Sequence, residues 1–468
     1  MPVRHPLLLV QPPTLPPLHP EFRPAVLGNR AFRKAVDESG VGVPLRIALE
    51  RGDGSVSTYE TRVFPSGHEL AEANLTYAER LLKFLLWQRG GWKVTVGGPP
   101  EIARYLRRVY SPSGDRAFDY DFMGMTVYEN PFTVVDTDAE SVPETSEASA
   151  PLGRHLDGCR IGFDLGASDR KTSAVIDGND VFTEEEPWDP KSATDWHYQY
   201  EGIRSSIQRA ADHLPRIDAI GGSSAGVYIN NRVMVASLFR GIPKDDFEQH
   251  VKPLFENLGR EFGVPFVVVN DGEVTALAGS MSLEANAVLG VAMGSSQAVG
   301  YVTPDGNITG WLNELAFAPI DYHPQAPEDE WSGDLGCGVQ YFSQQGVMRL
   351  AAAAGLEFDA ARSVPERLED VQAWMKEGNP KIPAIYESIG ISLGYAVAHY
   401  ADFYDTEKLL ILGRVTTGAG GDILLEKAQD VLSREFPEVA ERLEMMLPNE
   451  KLRRVGQAIA AASLPAIV

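Results

Sequence analysis

Ile161-Gly162-Phe163-Asp164-Leu165-Gly166-Ala167-Ser168-Asp169-Arg170-Lys171-Thr172-Ser173-Ala174-Val175 is the segment from which the chain is best read. An apolar run ending in an acid, a glycine-containing turn and a second run together predict a β-hairpin. Such a hairpin sets the Asp164 carboxylate beside the backbone N–H groups of Gly166, Ala167 and Ser168 and the Ser168 hydroxyl. A turn of this kind can hold terminal phosphates while the carboxylate orients a hydrated magnesium ion. The same residues also suit an ordinary hairpin whose Asp bonds its own turn. Alone, the segment leaves both readings open.

Working outward, short apolar runs recur at 160–165, 217–222, 266–270, 287–293, 298–303 and 408–413 and predict strands. Ile203, Ile207, Ala211 and Leu214 mark one helical face between them, and Ile385, Ile389, Leu393, Val397 and Tyr400 mark another. Strands alternating with amphipathic helices mean α/β layers. Upstream, 45–50 and 57–63 flank Gly52-Asp53-Gly54 as a hairpin, 71–87 reads as a helix, and 92–96 followed by 101–110 as strand then helix. These form a small N-terminal α/β module over 1–135. From Asp136 to Pro151 the chain is rich in Asp, Glu, Ser, Thr and Pro without periodicity, so 136–157 is expected to be a solvated linker.

Composition excludes several classes. With 44% hydrophobic and 23% charged residues over 468, the chain is neither disordered nor fibrous. A net charge of −23 repels nucleic acid and anionic membranes, so any phosphate site must be local. Residues 1–150 hold 16 basic and 19 acidic residues, which places most of the acidity downstream. Cys159 and Cys337 cannot make a disulfide framework, and no apolar stretch approaches the length of a membrane span. A reduced, cytoplasmic setting is expected, without nucleic-acid or membrane partners.

Three further segments carry chemistry. Phe266-Val267-Val268-Val269-Asn270-Asp271 delivers Asn270 and Asp271 to the carboxyl end of a buried strand, where α/β folds bind ligands. An Asp there can take a proton from an attacking hydroxyl, or simply cap the next helix. Gly294-Ser295-Ser296 joins two apolar runs and offers N–H and hydroxyl donors to a second phosphate. Gly413, Gly418, Gly420 and Gly421 follow another buried run, where glycine permits close approach of a flat ligand or simply a positive φ.

In order and spacing, these segments resemble the sugar-kinase, heat-shock-protein and actin superfamily of ATPases, and within it the ROK family (repressors, open reading frames, kinases). Ile220-Gly221-Gly222-Ser223-Ser224-Ala225-Gly226, with Asn231-Arg232-Val233 after it, is similar to that family's glycine-rich strand and turn. The resemblance covers roughly 158–468. It implies a two-lobed actin-like ATPase (ribonuclease H-like) α/β fold with the N-terminal module as an extension. The first lobe would be 158–276, with a returning C-terminal helix over 452–468, and the second 277–451.

The implied activity is transfer of phosphate from ATP, with Mg²⁺, to a hydroxyl of a small sugar-like acceptor, and a homodimer is compatible with it. Gly166, Ala167, Ser168, Gly294, Ser295 and Ser296 would bind phosphates, and Gly413, Gly418, Gly420 and Gly421 the adenosine. Asp164 would hold Mg²⁺ through water, Asp271 would be the base, and Asn270 and Glu314 would orient the acceptor. Three departures stand out. Phe317 and Val339 replace a sugar-contacting His and Glu. The family's zinc motif is reduced to Ser332-Gly333-Asp334-Leu335-Gly336-Cys337, so no structural zinc is expected. These losses also suit a second reading, a non-catalytic or ATPase-only sensor on the same fold. Residues 1–150 are strand-rich and too long for the helix-turn-helix of the family's repressors.

Overall fold

The computed structural model describes residues 4–147, 152–447 and 456–467. The N-terminal sheet contains β1 (Val43–Glu50), β2 (Val56–Val63), β3 (Lys93–Gly97) and β4 (Thr133–Thr137), in the order β2-β1-β3-β4. The expected hairpin closes at Gly52-Asp53-Gly54, with Gly54 at φ 80°, a conformation that strains any side chain. Three helices pack on this sheet, α1 (Ala25–Ser39), α2 (Ala73–Arg89) and the expected one over Pro100–Val109. The leucines of α2 share one side and Ala73, Tyr77, Phe84 and Trp87 cover the rest, so the helix is apolar all round, and it is buried along nearly its whole length, including Glu79, Arg80 and Lys83.

The expected solvated linker is corrected by the structure as far as it is described. Asp136 and Thr137 complete β4, Ala139 and Val142 are buried, and Ser146 exchanges both backbone hydrogen bonds with Val56 at 2.8 Å. Two well-placed apolar side chains and a set of backbone hydrogen bonds suffice to dock a segment. Composition registers neither.

The next sheet holds β5 (Cys159–Leu165), β6 (Asp169–Ile176), β7 (Asn179–Pro187) and β8 (Ala219–Ser224). A two-stranded hairpin follows, β9 (Val227–Ile229) and β10 (Arg232–Val235), and then β11 (Phe266–Asn270) returns to complete the order β11-β8-β5-β6-β7. β5, β8 and β11 are parallel, and β6 and β7 run antiparallel. The last sheet is β12 (Val288–Met293), β13 (Gln297–Val302), β14 (Lys408–Leu412) and β15 (Glu444–Met446), in the order β13-β12-β14-β15. Between the two lobes lies α3 (Asp271–Leu283), which leaves β11 and packs on β12 and β13. Outside the second sheet, α4 (Ile382–Tyr400) and α5 (Ala419–Glu435) pack on one another. Helix α6 (Gln457–Ala462) lies across β5 and β8, where the absence of side chains at Gly162 and Gly221 admits the carbonyls of Ala458 and Ala461. Of the expected C-terminal helix, residues 452–455 and 468 lie outside the described residues. This is the mixed α/β, two-lobed actin-like architecture with an N-terminal extension.

The extension is not a detachable accessory. One hydrophobic core runs from Leu45 and Trp87 into Phe317, Tyr341 and Tyr400 of the second lobe. At its centre Arg80 and Glu79 pair with each other, Arg80 reaches Asp334 at 3.0 Å, and Lys83 reaches Asp119 at 2.9 Å and Asp334 at 3.2 Å. Arg116 bridges Asp334 at 2.5 Å and Glu79 at 2.6 Å. Burial alone would raise the Asp334 carboxyl, but Arg80, Lys83 and Arg116 hold it well below the ordinary carboxylate range. This cluster occupies the loop where the zinc motif is reduced. Removing one member leaves uncompensated charge in the core, so Asp334→Ala is expected to cost about 3–5 kcal/mol in chemical denaturation. EDTA should leave the melting temperature of the wild-type chain unchanged.

Candidate active site

Parallel pairing fixes the first half of the site. Asp164 on β5 stands opposite Ser223 on β8, and Ser224 stands opposite Asn270 on β11, so three strands present polar groups at one edge. The Ser223 hydroxyl donates to Asp164 Oδ1 at 2.6 Å. Burial pushes the Asp164 carboxyl up to about 6, the Ser223 bond opposing and the nearby Asp271 charge adding to it. Asn270 caps α3 through Gly272 N at 2.7 Å and donates to Gly226 O at 2.8 Å. Asp271 opens the helix and accepts from Gly272 N at 3.0 Å; its burial raises its carboxyl above the usual range. The capping reading and the site reading thus coexist, since Asn270 supplies the cap and leaves Asp271 at the strand edge.

The second lobe answers with Glu314, whose carboxylate lies 3.4 Å from Asn270 Nδ2. Its placement comes from the N-terminal helix: Trp87 O accepts from Glu314 N and Gln88 O from Asn313 N, each at 2.9 Å. Burial, then the charges of Asp271 and Glu273, push the Glu314 carboxyl up to about 8. Sequence reasoning assigned no role to Glu273. It is buried, accepts from Asn313 Nδ2 and from Tyr301 N, and is pushed by burial up to about 8. Asn313 in turn accepts from Tyr404 at 2.7 Å. An acid in the first turn of a helix reads as a complement to the helix dipole, which masked Glu273. Ser223 carried a signal, a polar residue inside a buried strand.

The two turns are narrower donors than expected. Gly166 N is spent on Asp169 O and Gly294 N on Ser296 O, each at 2.9 Å, because both turns close on themselves. Ala167, Ser168, Ser295 and Ser296 remain as the candidate phosphate donors. Trp188 Nε1 braces the first turn through Gly166 O at 2.8 Å, and Ser168 Oγ donates to Asp169 at 3.0 Å. Gly413, at φ 97°, lies directly on Met293 beside the second turn, and Gly418 stands at φ 74°. Gly420 and Gly421 serve packing, since a side chain there would enter the Tyr386 ring and the Thr416 carbonyl. Their glycines therefore require no ligand.

Phe317 and Val339 are buried in the shared core. Phe317 meets Trp87 at 4.5 Å and Trp331 at 5.0 Å between ring centroids, so it has become part of the seat for α2. The buried Cys337 lies 3.9 Å from Asp334. Among the described residues, no group of three or more His, Cys, Asp or Glu side chains could hold a metal ion, and no helix is long and apolar enough to cross a membrane.

Solved structures share this architecture. A ROK-family transcriptional regulator, described as a homolog of the E. coli MLC protein, is 18% identical over 66% of this chain and 78% of its own, with a TM-score of 0.50. A ROK hexokinase from Thermus thermophilus is 18% identical over 65% and 97%, at 0.49. A ROK-family glucokinase from Streptomyces griseus, solved with glucose and AMPPNP, is 18% identical over 65% and 98%, at 0.47. No protein-family model and no curated protein matches the chain. At this identity the likeness to the regulator establishes the fold.

The raised carboxyl of Glu314 predicts how stability depends on pH. Its folded value, about 8, exceeds its ordinary 4.5, so the folded chain holds a proton there that the unfolded chain releases. Stability contributed by that proton is present below 4.5 and declines as pH rises to 8. Glu314→Gln should remove about one proton, or about 1.4 kcal/mol per pH unit, from the slope of denaturation free energy between pH 5 and 8.

Proposed function

We propose that the chain is an ATP-dependent phosphotransferase acting on a hydroxyl of a sugar-like acceptor, in the manner of the ROK kinases it resembles. The observation that supports this most is the convergence of Asp164, Asn270 and Asp271 at adjacent strand ends, with Glu314 brought against Asn270 from the other lobe. Phosphoryl transfer needs little covalent help from the protein; positioning and charge neutralisation carry most of it. In this reading the acceptor hydroxyl is oriented by Asn270 and Glu314 and gives its proton to Asp271. Ala167 and Ser168 in one lobe, and Ser295 and Ser296 in the other, hold the phosphates of ATP. Adenosine lies along the loop from Gly413 to Gly418, beside the second turn.

A single buried carboxylate, rather than a cage, suits magnesium, which keeps several waters and takes its remaining ligands from phosphate. Asp164 fits that role, since its carboxyl is held up by burial and the adjacent Asp271 and so gains from a nearby cation. Bound magnesium would neutralise charge developing on the transferred phosphoryl group. We place the activity in the cytoplasm, where ATP and reduced thiols such as Cys159 and Cys337 occur together.

A sensor without catalysis is favoured by one observation, the burial of Phe317 and Val339 in the core, and the similar fold of a transcriptional regulator supports it. The N-terminal sheet is no helix-turn-helix, which counts against DNA binding by that module.

Calorimetry should show Mg-ATP binding, and its absence up to millimolar concentrations would reject the phosphotransferase. Asp271→Asn should lower kcat by 10²–10⁴-fold with nucleotide affinity nearly intact, because the base is removed without touching the phosphate turns. Retention of more than about a tenth of the rate would remove Asp271 from that role. Magnesium requires the ionised form of Asp164, so Mg²⁺ affinity measured from pH 5 to 7.5 should rise with pH and level off above about 6.

A further inference from the structure

A cavity of about 450 Å³ lies outside the phosphate turns, where the two lobes and the N-terminal domain meet. Its size falls in the range of small-ligand pockets, about 300–1,000 Å³. Ile229 of β9 with Val267 and Val269 of β11 line one wall, and Ile308 and Leu312 of the second lobe line another. The third wall belongs to the N-terminal domain: the turn Arg51-Gly52-Asp53 between β1 and β2, and Tyr128. At its inner end stand Asn270 and Glu273, on either side of Asp271 in the chain.

The charged groups of the outer walls are already engaged, whereas the buried Tyr128 hydroxyl has no hydrogen-bond partner. Arg51 donates to Ser57 Oγ at 2.7 Å and pairs with Glu147. Asp53 accepts from Ser55 N at 2.9 Å and Ser55 Oγ at 2.8 Å. The Asn231 side chain bonds Phe266 O and, at 2.8 Å, Val268 N. The charged groups are thus matched within the protein, and what remains facing an occupant is the hydrocarbon of Ile229, Val267, Val269, Ile308 and Leu312 together with the uncharged Tyr128 hydroxyl. The inner end differs, since Asn270 and Glu273 are hydrogen-bonding groups.

We propose that this cavity receives an uncharged apolar substituent carried by the acceptor beyond its reacting hydroxyl, so that the substrate is a glycoside or similar hydroxylated amphiphile, and that the N-terminal domain selects it through Gly52 and Tyr128. The proposal rests on the phosphotransferase reading for the identity of the reacting hydroxyl. The pocket itself stands on its walls. It also gives the N-terminal domain a task in substrate choice.

The test is calorimetry on the full chain with glucose, mannose and N-acetylglucosamine, each compared with its phenyl and hexyl glycosides, in the presence and absence of Mg-ATP. At least one glycoside should bind ten-fold or more tightly than its parent sugar, with a more negative heat-capacity change from burial of apolar surface. Gly52→Trp adds bulk at an exposed turn, where the fold is not at risk, and should erase that preference while leaving Mg-ATP affinity unchanged. Ile229→Ala, which strips the opposite wall, should weaken glycoside binding several-fold and spare the parent sugar. Glycosides that bind no better than their sugars, or a preference that survives Gly52→Trp, would overturn the proposal. If glycosides are preferred and Mg-ATP does not bind, the pocket stands and the phosphotransferase reading falls. If Mg-ATP binds and is turned over with free sugars alone, the reverse holds.

Discussion

Asp334, enclosed with Arg80, Lys83 and Arg116, is the constraint on which much of this molecule rests. Carboxylate and cations in an interior of low dielectric are tolerable only together, because desolvating any one of them alone is far costlier than desolvating the matched set. The cations come from the N-terminal domain and Asp334 from the second lobe, so neither region can bury its share without the other. Helix α2 therefore has one permitted seat. From that seat its last turn offers the Trp87 and Gln88 carbonyls to the segment that carries Glu314. The active-site geometry is in this way set partly by charges that take no part in chemistry.

Much of this was legible in the sequence because strand ends announce themselves. Apolar runs that stop at Asp164, Asn270 and Gly294 gave six strands within a few residues of their observed limits, and parallel pairing then made neighbours of residues far apart in the chain. Less legible was whatever depends on tertiary partners. At Glu79, Arg80 and Lys83 the helix alone names no partner, and only the arrival of Asp334 and Arg116 shows why they are buried. The segment after β4 looked like a linker because two small apolar contacts do not alter composition. At Gly420 and Gly421 the structure shows a tight contact with Tyr386 and Thr416, which the sequence does not distinguish from an approach to a ligand. The cavity was invisible, since its walls come from at least five separated stretches.

The carboxylates of the cleft share one physical cause with different consequences. Burial raises Asp164, Glu273 and Glu314 alike, but Asp164 keeps a hydroxyl donor and lies nearest to where a cation would be welcome, whereas Glu273 is wrapped by neutral amides. Near neutral pH the first is an anion and the second still holds its proton. A neutral acid can donate a hydrogen bond where an ionised one can only accept. Burial thus leaves an ionised and a protonated carboxyl group close together in one site.

The closing of the Asp334 loop by groups far away in the chain also bears on inheritance. A loop closed by its own cysteines carries its ligands with it and can be passed between proteins as a short cassette. Here the groups that close it lie 254 residues upstream, as between Arg80 and Asp334. A change at position 334 and a change among the cations of the N-terminal domain are therefore coupled, since either alone strands a buried charge. Among related chains, an Asp at position 334 should accompany cations at 80, 83 and 116.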